Sequence, residues 1–194
     1  MTSRKQEKFE MILDGAEKVI AENGFHGSQV SKIAKEAGVA DGTIYLYFKN
    51  KEDILISLFQ DRLGKLVELF HQSIRETNTA EEALRKVCEI HFTHLEQNVN
   101  FAYVTQIELR QSSLELRKAI GLAVKPYITL IEHILIRGVD EGLFRADLDT
   151  KLSRQLIFGA LDEVVTSWLI SGMKYSLSGQ VANTVDFFLR AIKK

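Results

Sequence analysis

The chain has 194 residues, 45% hydrophobic and 26% charged, a balance typical of globular proteins with a buried core. A formal net charge of −1 excludes proteins that hold nucleic acid by overall positive charge, so any such contact must use a local basic patch. Cys88 is the single cysteine, which excludes an intrachain disulfide. With no signal peptide and no uninterrupted apolar run of the ~18 residues that span a bilayer, we expect a cytoplasmic protein without a membrane partner.

Apolar residues recur at helical spacing along the whole chain, and strand-like alternation is absent. Pro126 is the single proline, and so small a number of this helix-breaking residue also favours an all-helical fold. The first apolar stripe runs from Phe9 to Ile20 and ends at Asn23-Gly24, where both residues tolerate a left-handed backbone. We therefore predict an all-α fold with about nine helices.

Two short helices are predicted next, separated by a turn that contains Gly38. Ser28 is predicted to cap the first, whose inward face is predicted to hold Val30, Ile33, Ala34 and Ala37. The second is predicted from Asp41 to Phe48. Later helix starts are predicted from capping patterns at Asn50, Thr79-x-x-Glu82, Ser112-x-x-Glu115, Asp147 or Asp149, and Ser178.

The second short helix has an unusual outer face. Ile44 and Phe48 are predicted to face inward, which leaves Tyr45, Leu46 and Tyr47 facing outward with Thr43. Tyrosine hydroxyls bind phosphates or base edges, and apolar carbons meet thymine methyl groups. Lys49 and Lys51 follow and can neutralise phosphates. The pattern favours a helix that reads DNA, and core packing of the tyrosines is the alternative.

The segment G-T-I-Y-L-Y-F-K-N-K-E-D-I-L, preceded by I-A-K-E-A-G-V, closely resembles the DNA-binding signature of the TetR family. The resemblance implies a three-helix helix-turn-helix DNA-binding domain at residues 1–50. It also implies a helical ligand-binding and dimerisation domain at residues 51–194. The DNA-binding residues that it implies are Ser28, Gln29, Gly42, Thr43, Tyr45, Tyr47 and Lys51. Asp41 departs from the basic or small residue that is commoner at this position in the family. Three roles are open for it: capping of the second short helix, a hydrogen bond accepted from cytosine, or repulsion of a phosphate that lowers affinity for DNA.

The C-terminal part carries no signature of catalysis, with no GxGxxG, phosphate-binding loop, CxxC or nucleophile elbow. His91-x-x-His94 places two imidazoles on one helix face, but a metal site needs more ligands and no second pair matches. We therefore expect no enzyme, no catalytic residue, no metal and no cofactor. Cys88 lies in an apolar stripe and is interpreted as inert core.

Two stretches, residues 105–117 and 154–169, resemble one branch of the TetR family, the fatty-acid-degradation repressors of Gram-positive bacteria. That resemblance implies an effector, long-chain acyl-CoA, which releases the repressor from double-stranded operator DNA. An acyl chain needs an apolar tunnel, for which the candidates are Phe92, Phe101, Ile107, Phe158, Leu161, Val165 and Trp168. The CoA phosphates need guanidinium partners, for which the candidates are Arg110, Arg117 and Arg154. Ordinary core packing is the alternative for the aromatic residues, and pairing with Glu108, Asp162 or Glu163 is the alternative for Arg110.

A homodimer is expected through the last two helices, residues 149–171 and 178–193, where Gly159 and Ala160 allow close helix approach. Its two-fold axis would set two reading helices about 34–36 Å apart on a pseudo-palindromic operator. Three rival interpretations stay open. They are a repressor induced by another hydrophobic or drug-like molecule, a helical enzyme acting on acyl-CoA, and a sequence-blind DNA-binding architectural protein, against which the near-neutral charge argues.

Overall fold

The computed structural model describes residues 3–194, and within that range it contains nine α-helices and no strand, as predicted. The helices are α1 (Ser3–Gly27), α2 (Val30–Glu36), α3 (Asp41–Ile44), α4 (Lys51–Ile74), α5 (Ala80–Gln97), α6 (Val99–Glu108), α7 (Leu114–Asp140), α8 (Thr150–Ile170) and α9 (Val181–Ile192). A single 3₁₀ turn, Ser178–Gln180, precedes α9. The chain forms two compact units: unit 1 comprises the described residues up to Arg62 with Val99–Ala123, and unit 2 comprises Leu63–Asn98 with Val124–Lys194.

Three of the predicted helix caps are confirmed. The side chain of Asn50 accepts a hydrogen bond from the backbone N–H of Asp53 at 2.8 Å, at the start of α4. Thr79 accepts from the N–H of Glu82 at 3.2 Å, and Asp149 accepts from that of Leu152 at 3.0 Å. Each side chain therefore satisfies an N–H group that the first turn of its helix leaves unpaired.

Three predicted caps are wrong. Ser178 begins the 3₁₀ turn, and α9 starts at Val181 after Gln180, whose side chain makes no capping bond. The residue at the capping position of α2 is Gln29, and its side chain makes no capping bond. Ser28 does not cap α2 either, because its hydroxyl donates back to the carbonyls of Val19 and Gly24. The cap of α7 is Ser113, whose hydroxyl accepts from the N–H of Leu116 at 3.3 Å, one residue beyond the predicted Ser112. Serine patterns locate a helix start but do not decide which neighbouring hydroxyl performs the capping.

The second short helix is shorter than predicted, because α3 ends at Ile44 and not at Phe48. The N–H groups of Leu46 and Tyr47 bond three residues back, to the carbonyls of Thr43 (3.1 Å) and Ile44 (3.0 Å). Such bonds form a tighter turn than an α-helix. Phe48 nevertheless reaches the core, since it is buried as expected.

In unit 1, α1 is broken at Gly24, whose φ of +67° is one that residues with a side chain rarely adopt. Gly15 of α1 lies so close to α2 that a Cβ there would come within 2.9 Å of the backbone nitrogen of Ala37.

Arg62 of α4 makes ion pairs with four acidic residues, Glu10, Asp14, Glu17 and Asp61. Burial alone would lower the pKa of Arg62, but the hydrogen bond and charge of Glu17, with Asp61 and Asp14, raise it above its ordinary value. The network fixes the first half of α4 on α1.

In unit 2, Tyr127 of α7 is the centre of a buried aromatic cluster. Its ring lies 4.8 Å from that of Phe70, 5.8 Å from that of His91 and 5.5 Å from that of Phe158, centroid to centroid. The Tyr127 hydroxyl and His91 Nδ1 are hydrogen-bonded at 3.1 Å, whereas His91 Nε2 has no partner among residues 3–194. Burial, with a smaller contribution from His94, lowers the pKa of His91 to about 3.

This buried neutral histidine predicts acid sensitivity. The unfolded chain binds a proton at His91 below pH 6.5, whereas the folded chain binds it only near pH 3. Stability from neutral His91 is therefore full above pH 6.5 and is lost as the pH falls from 6.5 towards 3, by at most about 1.4 kcal/mol per pH unit. Urea unfolding at pH 7.0 and 5.0 should show a smaller loss for His91→Leu than for wild type. His71→Leu, which removes an exposed histidine of α4, is the control, and equal losses in all three proteins would contradict the assignment.

Candidate functional site

Helices α2 and α3 of unit 1 present one face to the core and one to solvent. The inward face is the predicted one, since Ile33, Ala34, Ala37, Ile44 and Phe48 are all buried. Gly38, with a φ of +66°, permits the turn between the two helices. The sequence therefore places the helix-turn-helix correctly, apart from the end of α3.

The outer face carries most of the predicted DNA-binding residues. Tyr45 is 58% exposed and Leu46 is 76% exposed, a large apolar surface for a turn of this size. The residues that we call the reading surface are exposed or half-buried: Gln29, Gly42, Thr43, Tyr45, Leu46 and Tyr47. Core packing, the alternative for the tyrosines, does not hold for Tyr45. Tyr47 is half-buried beside Phe48, with ring centroids 6.5 Å apart.

Ser28 and Lys51 are directed differently from the rest of the predicted set. Ser28 is 2% exposed, with its hydroxyl bonded within unit 1. Lys51 Nζ donates to the carbonyls of Phe25 (2.9 Å) and Ser28 (3.1 Å) and lies 4.5 Å from the centroid of the Phe25 ring. Both side chains hold the turn between α1 and α2, so they position the reading surface. A direct contact of either with DNA stays a prediction.

Asp41 is the first residue of α3 and is exposed. The residue at the capping position is Ala40, which has no side-chain oxygen. The capping alternative for Asp41 is therefore wrong. A contact with cytosine and repulsion of a phosphate remain as its two alternatives.

Five apolar effector candidates lie in unit 2 on α5 and α8. Phe92, Leu161, Val165 and Trp168 are buried, and Phe158 is half-buried against Tyr127. Trp168 Nε1 donates to the carbonyl of Tyr175 at 2.9 Å. Their burial fits both the ligand-lining and the core interpretation.

Arg154 is the guanidinium candidate in unit 2. It lies half-buried and pairs with Glu132 of α7, and its Nε has no hydrogen-bond partner among residues 3–194. A buried N–H that no protein group satisfies is a free-energy cost that an anion can remove. Arg154 is therefore the effector candidate with a spare buried donor.

The other candidates belong to unit 1. Phe101 is buried and packs on Phe59, with ring centroids 6.4 Å apart, whereas Ile107 is 51% exposed. Arg110 and Arg117 are exposed, and Arg110 Nη1 donates to the carbonyl of Gln106 at 3.1 Å. Their exposed guanidinium groups have the chemistry that a phosphate needs.

Glu108 is the residue that sequence reasoning misread. Suggested above as a partner for Arg110, it is 2% exposed and accepts a hydrogen bond from the backbone N–H of Phe25 at 2.7 Å. Gln111 Nε2 donates to its other oxygen. A sequence pattern was present, because Glu108 continues the inward stripe of Phe101, Val104 and Thr105 at i, i+3, i+4 and i+7. Since carboxyl groups are rarely buried, this spacing alone does not predict a buried Glu108.

Helices α8 and α9 of unit 2 enclose an open apolar groove of about 380 Å³. Its rim includes Leu156, 63% exposed, and Phe187, 68% exposed, while Ile157 and Phe188 form its floor. These are the helices predicted to form the dimer. Large apolar side chains at such exposure mark a surface that a partner covers.

Within residues 3–194, no group of three or more His, Cys, Asp or Glu side chains is arranged to hold a metal ion. Burial raises the pKa of the Cys88 thiol to about 12, so the reactive thiolate does not form near neutral pH. By length and hydropathy alone α7 would be able to cross a bilayer, a test that core helices of soluble proteins also pass. Apolar residues of α7 such as Ile120 and Ile131 are buried in their own units.

Comparison with known proteins gives two family matches. Residues 12–58 match the model for bacterial regulatory proteins of the tetR family, and residues 59–191 match that for the C-terminal region of YsiA-like proteins. A fatty acid metabolism regulator protein of Bacillus subtilis is 53% identical over 189 residues, which cover 97% of each chain.

Two solved structures share the fold. A transcriptional regulator FadR from Bacillus subtilis, in complex with stearoyl-CoA, has a TM-score of 0.91 at 50% identity and covers 93% of this chain and 97% of its own. The fatty acid degradation regulator FadR from Bacillus halodurans has the same TM-score at 49% identity, with 94% of each chain covered. From these matches over nearly its whole length, the chain belongs to the TetR family of bacterial transcriptional regulators.

Proposed function

We propose that this protein is a cytoplasmic repressor of fatty-acid-degradation genes that leaves a pseudo-palindromic operator when it binds long-chain acyl-CoA. The observation that carries the proposal is the 53% identity, over 97% of both chains, to a fatty acid metabolism regulator. The stearoyl-CoA in a structure of the same fold supports the choice of effector. An enzyme acting on acyl-CoA is not favoured, because the relatives described above are transcriptional regulators.

DNA binding is assigned to the reading surface of unit 1. Tyr45 and Leu46 expose apolar and hydroxyl groups together, which suits contacts with thymine methyl groups and phosphates. At Gly42 no described atom lies within 4 Å of a Cβ position, so packing inside the chain does not require a glycine there. Glycine costs a helix about 0.5–1 kcal/mol relative to alanine, and close approach of a DNA backbone explains its presence.

Replacing Tyr45 with alanine should weaken binding to the operator roughly 5- to 100-fold, the range expected for loss of one good base or phosphate contact. The operator is first selected from random-sequence DNA with the wild-type protein, and affinity is measured by fluorescence anisotropy. Tyr45→Phe separates the hydroxyl from the ring. Tyr175→Ala, an exposed tyrosine of unit 2, is the control. Wild-type affinity for Tyr45→Ala would remove this residue from the reading surface.

Homodimerisation is assigned to the exposed faces of α8 and α9. Leu152, Leu156 and Phe187 leave these faces apolar, and Gly159 of α8 has no described atom within 4 Å of its Cβ position. Two such helix pairs bury their apolar faces when they form a four-helix bundle. A dimer also supplies the second reading surface that a pseudo-palindromic operator needs.

Leu156→Glu should convert the dimer into a monomer of 22.0 kDa, because the substitution buries an unpaired charge in the interface. Sedimentation velocity at micromolar concentration measures the change. Leu122→Glu, at a leucine that is 70% exposed in unit 1, is the matched control and should stay dimeric. If Leu156→Glu sediments as a dimer, the interface lies elsewhere.

Effector binding is assigned to the aromatic and arginine candidates, described unit by unit above. An acyl chain is apolar and needs contacts such as those of Phe92, Phe158 and Trp168. The phosphates of CoA need guanidinium groups, which Arg110, Arg117 and Arg154 supply. Since the ligand has an apolar and an anionic end, both kinds of residue are required at once.

Thermal unfolding with acyl-CoAs of increasing chain length tests the effector. A ligand that binds only the folded state stabilises it by about 2.7 kcal/mol at a hundredfold excess over its Kd. We expect stabilisation that grows with chain length and requires the CoA group, together with release of the operator by stearoyl-CoA. Free CoA and free fatty acid are the controls. Stabilisation by fatty acid alone, or by no acyl-CoA, would favour the rival inducer, a different hydrophobic or drug-like molecule.

A further inference from the structure

We propose that Glu108 is the positioning residue through which α6 controls the DNA-reading helices, by a buried hydrogen bond to the backbone of the turn between α1 and α2. This inference rests on the proposed function, since it concerns how the effector changes DNA affinity. Both partners belong to unit 1, although they are 83 residues apart in the sequence.

The contact is buried and directional. Glu108 accepts from the Phe25 N–H at 2.7 Å, and Phe25 and Glu108 are both almost inaccessible to solvent. Acidic side chains are rarely buried to this degree unless a hydrogen-bond or ion-pair partner compensates for the loss of water. The partner is a main-chain group, so the carboxyl group holds the path of the backbone at Phe25 whatever side chain is present there.

The turn that Glu108 holds leads directly into the reading surface. Gly24 breaks α1, and four residues later Ser28 and Gln29 begin the approach to α2. Lys51 holds the carbonyls of Phe25 and Ser28 from α4, and Ser28 is bonded to α1. Glu108 holds the N–H side of the same turn from α6. Movement of α6 therefore acts on the segment that orients Gln29 and α2.

The other end of the connection lies among effector candidates. Glu108 is the last residue of α6, directly after Ile107 and two residues before Arg110. A hydrogen bond at 2.7 Å is lost when its donor and acceptor separate beyond about 3.5 Å, so a small displacement of this helix end suffices. Gln111, which donates to Glu108, keeps an oxygen that is buried and unpartnered among residues 3–194. The Phe25 N–H, the Glu108 carboxyl and the Gln111 amide can thus form a different set of hydrogen bonds among themselves, without a further group entering.

Three variants separate coupling from folding. Glu108→Leu removes both acceptors at similar volume. Glu108→Gln keeps one acceptor for Phe25 and offers an N–H₂ group to the unpartnered oxygen of Gln111, so it should restore the connection. Thr105→Val removes a buried side-chain bond to Ala102 one turn earlier on α6 and is the matched control. The measured quantity is the coupling factor, the ratio of the operator Kd with saturating stearoyl-CoA to that without it.

We expect the coupling factor of Glu108→Leu to fall at least tenfold below wild type, while Glu108→Gln and Thr105→Val stay within about threefold. Stearoyl-CoA binding in the absence of DNA, measured by calorimetry, should remain for all four proteins. Wild-type coupling in Glu108→Leu overturns the inference and leaves the proposed function standing. Failure of stearoyl-CoA to release wild-type protein from DNA contradicts the proposed function itself.

Amide exchange gives a second test that does not depend on the folding of Glu108→Leu. In the wild-type protein, stearoyl-CoA should speed hydrogen exchange at the Phe25 amide, because its acceptor moves away. The Ile33 amide, bonded within the start of α2 to the carbonyl of Gln29, is the internal reference and should change little. Unchanged or slower exchange at Phe25 in the presence of bound stearoyl-CoA overturns the inference.

Discussion

The break in α1 at Gly24 is the constraint on which the DNA-binding half of the chain depends. A positive φ there turns the backbone out of the helix and leaves the peptide groups of Phe25 and Ser28 inside the protein. Buried peptide groups must be paired. Lys51 of α4 donates to the carbonyls of Phe25 and Ser28, and Glu108 of α6 accepts from the N–H of Phe25. Polar contacts therefore set the direction in which α2 leaves the turn, whereas apolar packing sets only how deeply α2 is buried in unit 1.

This division explains why the DNA-binding candidates differ in accessibility. Tyr45 and Gln29 stand at the surface because the buried residues Ile44 and Ile33 occupy the other face. Ser28 and Lys51 occur in the same motif yet direct their polar atoms inward. The predicted DNA-binding set thus mixes exposed residues, proposed to contact DNA, with residues that hold the backbone beneath them, and substitutions in the two groups should differ in their effect on folding.

Periodicity and capping patterns predicted the helices well because both report local physics. Asn50, Thr79 and Asp149 cap their helices through bonds to N–H groups three residues on, and the sequence contains that information. The hydroxyl of Ser28 instead bonds backwards, to the carbonyls of Val19 and Gly24, and a serine pattern does not show which of the two directions is taken. Glu108 shows a further limit: its spacing from Phe101, Val104 and Thr105 fits an inward face, but its partner Phe25 is 83 residues away and is not visible in the local sequence.

Unit 2 combines an apolar interior with two buried polar atoms, His91 Nε2 and Arg154 Nε, for which residues 3–194 provide no hydrogen-bond partner. Each unpaired buried N–H or nitrogen costs the folded state roughly 1–3 kcal/mol, and a pure stability argument would replace both by apolar atoms. A binding protein gains from keeping them, because a ligand that pairs with them is selected over one that only fills space. Under the proposed function, the guanidinium group of Arg154 helps to distinguish acyl-CoA from an apolar molecule of equal length, while the aromatic candidates of unit 2 add affinity.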